Sequence, residues 1–198
     1  MDNDKRRISS ALTKEKITEA FLQLYSVNSI EKITIKMLSD KAGINRSTFY
    51  SHYTDIYDLF HQLEDEFFED LKAHIEPGIP RILKGENIFD IIPSVKFYEE
   101  YRLQFKIFIA EEGKSTLPKR IKELIRGIIL NLMSKVTVEI KPEGYFILEY
   151  MMNAQLGAFA YWFNNSEKLS FDELKIVMEH SMSEGPLTYF KSIHDIKI

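Results

Sequence analysis

Apolar residues recur at helical spacing along almost the whole chain, and this periodicity limits the fold more than any other feature. An early stripe at i, i+3 and i+4 is formed by Ile17, Ala20, Phe21, Leu24 and Tyr25. Such spacing is typical of one face of an amphipathic helix. Only residues 135–140 alternate like a strand, and one short, isolated strand cannot form a sheet. The sequence therefore predicts an all-α fold of about nine helices.

Capping residues and helix breakers predict the limits of the N-terminal helices. N-caps are expected before the first, second and fourth helices, at Thr13, Thr34 and 54–55. Gly43 ends the short second helix, and a third is expected from roughly Arg46 to Tyr53. The fourth helix is long, and Pro77 stops it.

Similar signals mark the helices of the second half. Helices are expected at about 117–135, at about 143–163 with Pro142 in the first turn, and after a capping box at 170–173. The pair Gly185–Pro186 closes the last of these helices. Breaks between the other elements are expected at 84–87, at Pro93 and at 113–118.

The chain contains no cysteine, which excludes disulfides, thiolate metal sites and thiol catalysis. Its charged N-terminus leads into no apolar signal core, and no run approaches the roughly 18 apolar residues of a membrane helix. We therefore expect a cytoplasmic protein that does not associate with a membrane.

Charge is distributed unevenly along the chain. The net charge is −4, yet residues 1–53 hold nine basic and six acidic side chains, a balance of +3, which leaves −7 for the remainder. A basic head on an acidic body is expected when only the head meets phosphate groups.

Residues 34–53 predict two short helices joined by a tight turn, for which Gly43 supplies a left-handed conformation at little cost. Apolar residues fall where these helices pack on each other and on the first helix, at Leu38, Ala42, Ile44, Phe49 and Tyr53. The outer face of the third helix is short and polar with one cation, and consists of Asn45, Arg46, Ser47, Thr48 and Ser51. Such a face suits the major groove of DNA.

Residues 13–60 resemble the DNA-binding region of the TetR/AcrR family of bacterial regulators. The stretch from Thr34 to Tyr53 matches the family's recurring pattern almost throughout, including the Ala-Gly turn and the following Ser-Thr-Phe-Tyr. The resemblance implies a helix-turn-helix domain over residues 1–53, folded from about residue 10, and a helical domain over residues 54–198. It also implies base or nearby phosphate contacts by Asn45, Arg46, Ser47 and Thr48. Backbone contacts are implied for Thr34, Tyr50 and His52.

The chain departs from the family at the start of the fourth helix, where a lysine is usual and Ile56 stands here. Isoleucine cannot pair with phosphate. Lys36 and the arm Lys5–Arg7 are the candidates to replace that contact, although a solvated tail is the plainer interpretation of the arm.

The resemblance implies that residues 54–198 form a homodimer, which lets two recognition helices meet DNA one helical turn apart. Small residues on the last two predicted helices would allow close helix approach. The expected dimer interface comprises Tyr150, Ala154, Gly157, Ala158, Tyr161, Leu174, Val177 and Met178. The alternative is that this face belongs to the core of one subunit.

An effector pocket is a further implication of the resemblance. Its expected lining combines aromatic, flexible and polar side chains, namely Phe97, Tyr98, Tyr101, Phe105, Phe108, Met152 and Gln155. Such a lining suits a small apolar, aromatic or cationic molecule, whereas the same stripe can also be plain core. We expect no cofactor and no metal.

The resemblance and the expected pocket together predict a repressor that a small molecule releases from its operator. Two other functions are alternatives to this prediction. An enzyme is not favoured, because the sequence has no Glu-x-x-His pair, P-loop, dinucleotide fingerprint or nucleophile elbow. A ligand-independent or protein-controlled regulator of the same fold, possibly an activator, stays open.

Overall fold

The structure, a computed structural model, describes residues 2–82, 95–110, 115–135 and 141–193. Regular secondary structure in these ranges is helical, which confirms the predicted all-α fold. The α-helices are α1 (Asp2–Tyr25), α2 (Ile35–Ala42), α3 (Arg46–Tyr50), α4 (Ile56–Ile75), α5 (Ile79–Ile82), α6 (Val95–Glu100), α7 (Arg102–Phe105), α8 (Leu117–Lys135), α9 (Pro142–Phe163), α10 (Phe171–Ser183) and α11 (Pro186–Ile193). Within the described ranges, no helix is both long enough and apolar enough to cross a membrane.

Some expected features fall outside these ranges. They are the loop at 84–87, Pro93, part of the loop at 113–118 and the strand-like alternation at 136–140.

The chain divides into two compact units, residues 1–67 and 68–198. The division falls within α4, a continuous helix whose first turns count with unit 1 and whose last turns count with unit 2. The family resemblance, in contrast, places a domain boundary between residues 53 and 54.

Unit 1 packs α1, α2, α3 and the first turns of α4 around large apolar side chains. The side chains without solvent exposure are Ile17, Phe21, Leu38, Phe49 and Leu59. Phe21 also stacks on Tyr25, with ring centroids 5.6 Å apart. Burying each large apolar side chain stabilises the fold by roughly 1.5–3 kcal/mol. This core fixes α2 and α3 against α1.

The first helix begins at Asp2, so the prediction that it starts after Thr13 is wrong. Thr13 is not a cap, because its hydroxyl donates a hydrogen bond to the Ser9 carbonyl at 2.8 Å within the helix. Residues 2–16 contain neither glycine nor proline, and they include three lysines and two arginines, which favour helix. The Lys5–Arg7 arm is therefore part of α1.

The long helices of unit 2 have the limits that local signals predict. α8 begins at Leu117, α9 begins at Pro142, and Ser170 caps α10 in a complete capping box. The Ser170 amide donates to the Glu173 carboxylate at 2.8 Å, and the Glu173 amide donates back to the Ser170 hydroxyl at 3.3 Å. An unexpected helix, α11, follows Gly185, because proline at Pro186 suits a first helical turn as well as a helix stop.

An aromatic cluster joins α6, α7, α9 and α10 in the core of unit 2. Tyr98 stacks on Phe171, with ring centroids 5.2 Å apart and planes 4° from parallel. Phe105 stacks on Phe163 at 5.4 Å. The indole N–H of Trp162 donates to the Leu169 carbonyl at 2.6 Å, which satisfies its polar atom.

Candidate nucleic-acid interface and ligand cavity

Gly43 makes the turn between α2 and α3. Its φ of 65° and ψ of 37° lie in the left-handed region that favours glycine. The amide of Ile44 donates to the Ser39 carbonyl at 3.0 Å and so closes the end of α2. At the other end of α2, the Thr34 hydroxyl accepts a hydrogen bond from the Met37 amide at 3.2 Å. Both ends of α2 thus use the residues that the sequence indicated.

Helix α3 turns a polar face to solvent. Asn45, Arg46 and Ser47 are exposed and Thr48 is half-buried, while Phe49 behind them has no solvent exposure. The helix ends at Tyr50, shorter than the expected span to Tyr53. A buried aromatic anchor under short polar side chains leaves these side chains free to meet a partner surface.

The other residues expected to contact DNA differ in their exposure to solvent. Thr34, Lys36 and Tyr50 are exposed, and the Tyr50 side chain is 58% exposed. His52 is half-buried, with its ring centroid 6.2 Å from that of Tyr53. All of these residues belong to unit 1.

The start of α4 is held by acidic caps. The Asp58 amide donates to Oδ1 of Asp55 at 2.8 Å, and the Thr54 amide donates to Oδ2 of Asp58 at 2.7 Å. The hydrogen bond from the Thr54 backbone is the largest cause of the lowered pKa of Asp58. Ile56 is buried at this helix start, so its position serves packing.

Unit 2 contains a cavity of about 170 Å³ lined by residues of α4 and α6–α10. Four of the seven expected pocket residues line it: Tyr98, Phe105, Met152 and Gln155. The sequence analysis missed an aliphatic stripe on α8, formed by Ile121, Ile125 and Ile129, and the residues Leu71 and Ile75 at the end of α4. The i, i+4, i+8 spacing on α8 is the signal that could have found them.

The three other expected pocket residues lie outside the cavity lining. Phe97 is packed between Tyr101 and His74, with both ring centroids 4.5 Å away. The Tyr101 hydroxyl donates to Oδ2 of Asp70 at 2.8 Å, and desolvation followed by that carboxylate raises the pKa of Tyr101 to about 12. Phe108 is fully buried in the core.

Gln155, Lys122 and Tyr98 are the side chains with polar atoms in the described part of the cavity lining. The Tyr98 hydroxyl is hydrogen-bonded to Arg102. Lys122 is already engaged, because its Nζ lies 3.0 Å from Oε1 of Glu149 and 3.1 Å from Oδ1 of Asn153. Gln155, in contrast, has a buried Oε1 with no hydrogen-bond donor among the described residues.

The residues expected at a dimer interface separate into two groups. Tyr150, Ala154, Gly157 and Tyr161 of α9 are exposed, and Ala158 and Val177 are half-buried. Leu174 and Met178 of α10 are buried within unit 2, and Met178 lines the cavity, so neither presents its side chain at the surface.

Further large apolar side chains are exposed near the N-terminal end of α9. They are Tyr145, Phe146 and Ile147, which are about half or more exposed, and Phe146 reaches 79%. At 3.6 residues per turn, four of the exposed residues of α9 lie within about 100° around the helix axis. We call these four residues the α9 apolar face: Phe146, Ile147, Tyr150 and Tyr161.

No protein-family model and no curated protein matches this chain. Within the described ranges, no group of three or more His, Cys, Asp or Glu residues comes together in a way that could hold a metal ion.

Proposed function

We infer that this chain is a DNA-binding transcription regulator that acts as a homodimer and that a small molecule releases from its operator. The observation that carries the proposal is the exposed polar face of α3 over the fully buried Phe49, after a left-handed turn at Gly43. This arrangement supports a helix-turn-helix whose second helix is free to enter a groove.

The side chains of α3 have the chemistry that reads base edges. Arginine donates two parallel hydrogen bonds to guanine, whereas asparagine donates one to N7 of adenine and accepts one from its N6 amino group. Arg46 and Asn45 are thus the proposed base-reading residues, with Ser47 and Thr48 beside them. Thr34, Lys36, Tyr50 and His52 serve as phosphate contacts that position the helix.

A second copy of this chain is the proposed partner of the α9 apolar face. Monomeric proteins seldom expose a contiguous patch of several large apolar side chains. Two recognition helices on one duplex also require two copies of unit 1, since each chain carries one such helix. The half-buried Ala158 and the exposed Ala154 and Gly157 would let two α9 helices approach closely.

The cavity supports control by a small molecule. Leu71 and Ile75, which line it, belong to the same continuous helix that begins at Ile56 in unit 1. A ligand that favours one position of the end of α4 would therefore bias the position of unit 1. Its effect is limited to the difference between its affinities for the two states.

The test is selection of bound sequences from a random duplex library by the full chain, followed by anisotropy titration. We expect a two-fold symmetric site with half-site centres about one helical turn apart. Arg46→Ala should lower affinity for that site about tenfold or more. Lys32→Ala removes one positive charge elsewhere on unit 1 and should have a much smaller effect. Recovery of no preferred sequence would overturn the proposal.

A further inference from the structure

Gln155, which lines the apolar cavity of unit 2, carries an unsatisfied hydrogen-bond acceptor. Its Oε1 atom is inaccessible to solvent and accepts no hydrogen bond from any described residue. A buried acceptor without a donor is unfavourable, because the group has lost its hydrogen bonds to water. The atom can therefore accept a hydrogen bond from a donor group on a ligand.

The remaining lining is suited to an uncharged molecule. Apart from Gln155, Lys122 and the hydroxyl of Tyr98, which is hydrogen-bonded to Arg102, the described lining is aliphatic, aromatic or methionine. An anion would have to displace Glu149 from Lys122, whose Nζ is 3.0 Å from Oε1 of that glutamate. A cation would find no carboxylate in the described lining and would lose its hydration shell.

The size of the cavity suits a ligand of about one ring. An apolar cavity of about 150 Å³ in another protein holds benzene, and the cavity here measures about 170 Å³. Tyr98, Phe105 and Phe159 add aromatic surfaces on which a ring can stack.

We propose that this cavity binds a neutral, single-ring apolar molecule that donates one hydrogen bond to Oε1 of Gln155. The inference rests on the proposed function, because it defines the ligand class of that regulator. The proposed ligand belongs to a narrower class than the apolar, aromatic or cationic molecule expected from the sequence, because a cationic effector is excluded. Gln155 is the specificity-determining residue, and the apolar lining provides most of the affinity.

Isothermal titration calorimetry of the full chain without DNA tests this ligand class with four probes of one ring each. Two probes are neutral: p-cresol can donate a hydrogen bond, and 4-methylanisole can only accept one. The other two are charged: p-toluate is an anion, and 4-methylbenzylammonium is a cation. We expect p-cresol to bind about fivefold to tenfold more tightly than 4-methylanisole, because only p-cresol can donate to Gln155. The two charged probes should bind more weakly than either neutral one.

Substitution of the glutamine separates its role from that of the cavity. In Gln155→Leu or Gln155→Met, the affinities for p-cresol and 4-methylanisole should become equal. Gln104→Leu is the matched control, since Gln104 is half-buried on α7 outside the cavity lining, and it should keep the preference. Absence of binding by all four probes, tighter binding of a charged probe, or a preference that survives both Gln155 variants would overturn the proposal.

The same titrations distinguish failure of this inference from failure of the proposed function. Binding of p-cresol that Gln155 controls would support the inference even if the chain binds no specific DNA. Specific DNA binding by a chain with no preference for p-cresol would overturn the inference and leave the DNA-binding role intact.

Discussion

Lys122 on α8 and Glu149 on α9 form an ion pair, with Nζ of Lys122 3.0 Å from Oε1 of Glu149. Arg126, one turn further along α8, pairs with the other carboxylate oxygen, and Nδ2 of Asn153 lies 2.8 Å from Oε1. The hydrogen bond from Asn153, followed by that from Lys122, lowers the pKa of Glu149 to about 2. The ionised carboxylate thus connects α8 to α9 beside the cavity.

This network predicts a pH-dependent contribution to stability. The pKa of Glu149 is lowered from 4.5 to about 2 in the folded protein. Its contribution is therefore present above the higher value and is lost as the pH falls through the lower one. Glu149→Gln should lower the midpoint of thermal unfolding near neutral pH, and the difference from wild type should shrink as the medium is acidified.

Circular dichroism melts across this pH range measure the effect. Glu167→Gln is the control, because Glu167 is exposed in the turn after α9, and its difference from wild type should not follow the same pH dependence. A constant difference for Glu149→Gln from neutral to acidic pH would contradict the prediction.

A second prediction concerns the turn at Gly43. Space around its Cα is open, with nothing within 4 Å of an added Cβ, so the φ of +65° alone opposes a side chain. Gly43→Ala should destabilise unit 1 by about 1–2 kcal/mol. Gly43→Asn should cost less, since asparagine tolerates this conformation better.

Gly127→Ala is the matched control for the turn. Gly127 lies inside α8 with equally open surroundings and no positive φ. Alanine there should stabilise the protein by about 0.5–1 kcal/mol, because glycine is a poor helix former. Urea denaturation followed by circular dichroism should show opposite shifts, and a stabilised Gly43→Ala variant would contradict the assigned turn.

Helix limits could be predicted where a local signal defines them. Pro142 and Ser170 act on the turn that they begin, so sequence alone locates them. The start of α1 carries no such signal, because capping residues such as Thr13 also occur inside helices, where the hydroxyl bonds to the preceding turn. Pro186 is ambiguous for a related reason, since proline both ends one helix and suits the beginning of another.

Of the two candidate functional surfaces, the exposed face of α3 could be predicted from the sequence, and the cavity could not. The exposed face of α3 follows from helical periodicity, because the one large apolar residue, Phe49, faces the core and the polar residues before it face solvent. The cavity does not follow from it, since periodicity tells which side chains face inward and not whether they fill the space. Phe108 and Phe105 therefore look alike in sequence, although only Phe105 lines the cavity.

A third prediction separates positioning contacts from base-reading contacts. Tyr50→Ala should weaken binding to all duplexes by about fivefold, because a phosphate contact carries no sequence information. Substitutions of Asn45 or Ser47 should instead change which sequences the chain prefers. Anisotropy titrations with the selected site and with random duplexes measure both effects.

Tyr57→Ala is the control for Tyr50, because it removes a tyrosine of similar exposure, 49% against 58%, from the start of α4. It should leave DNA affinity close to that of wild type. Unchanged affinity in Tyr50→Ala would contradict the proposed docking of α3.

The last prediction concerns the α9 apolar face as the contact between two copies of the chain. Phe146 is 79% exposed, so its replacement by glutamate removes no core packing within the subunit. A glutamate within an apolar interface would be buried without a partner, which opposes association. Phe146→Glu should therefore shift the molar mass measured by light scattering from dimer to monomer while the circular dichroism spectrum stays unchanged.

Val27→Glu introduces the same charge at 78% exposure on unit 1 and should remain dimeric. A dimeric Phe146→Glu variant would mean that another surface joins the two copies, and a monomeric wild type would remove the geometric basis for binding two successive grooves.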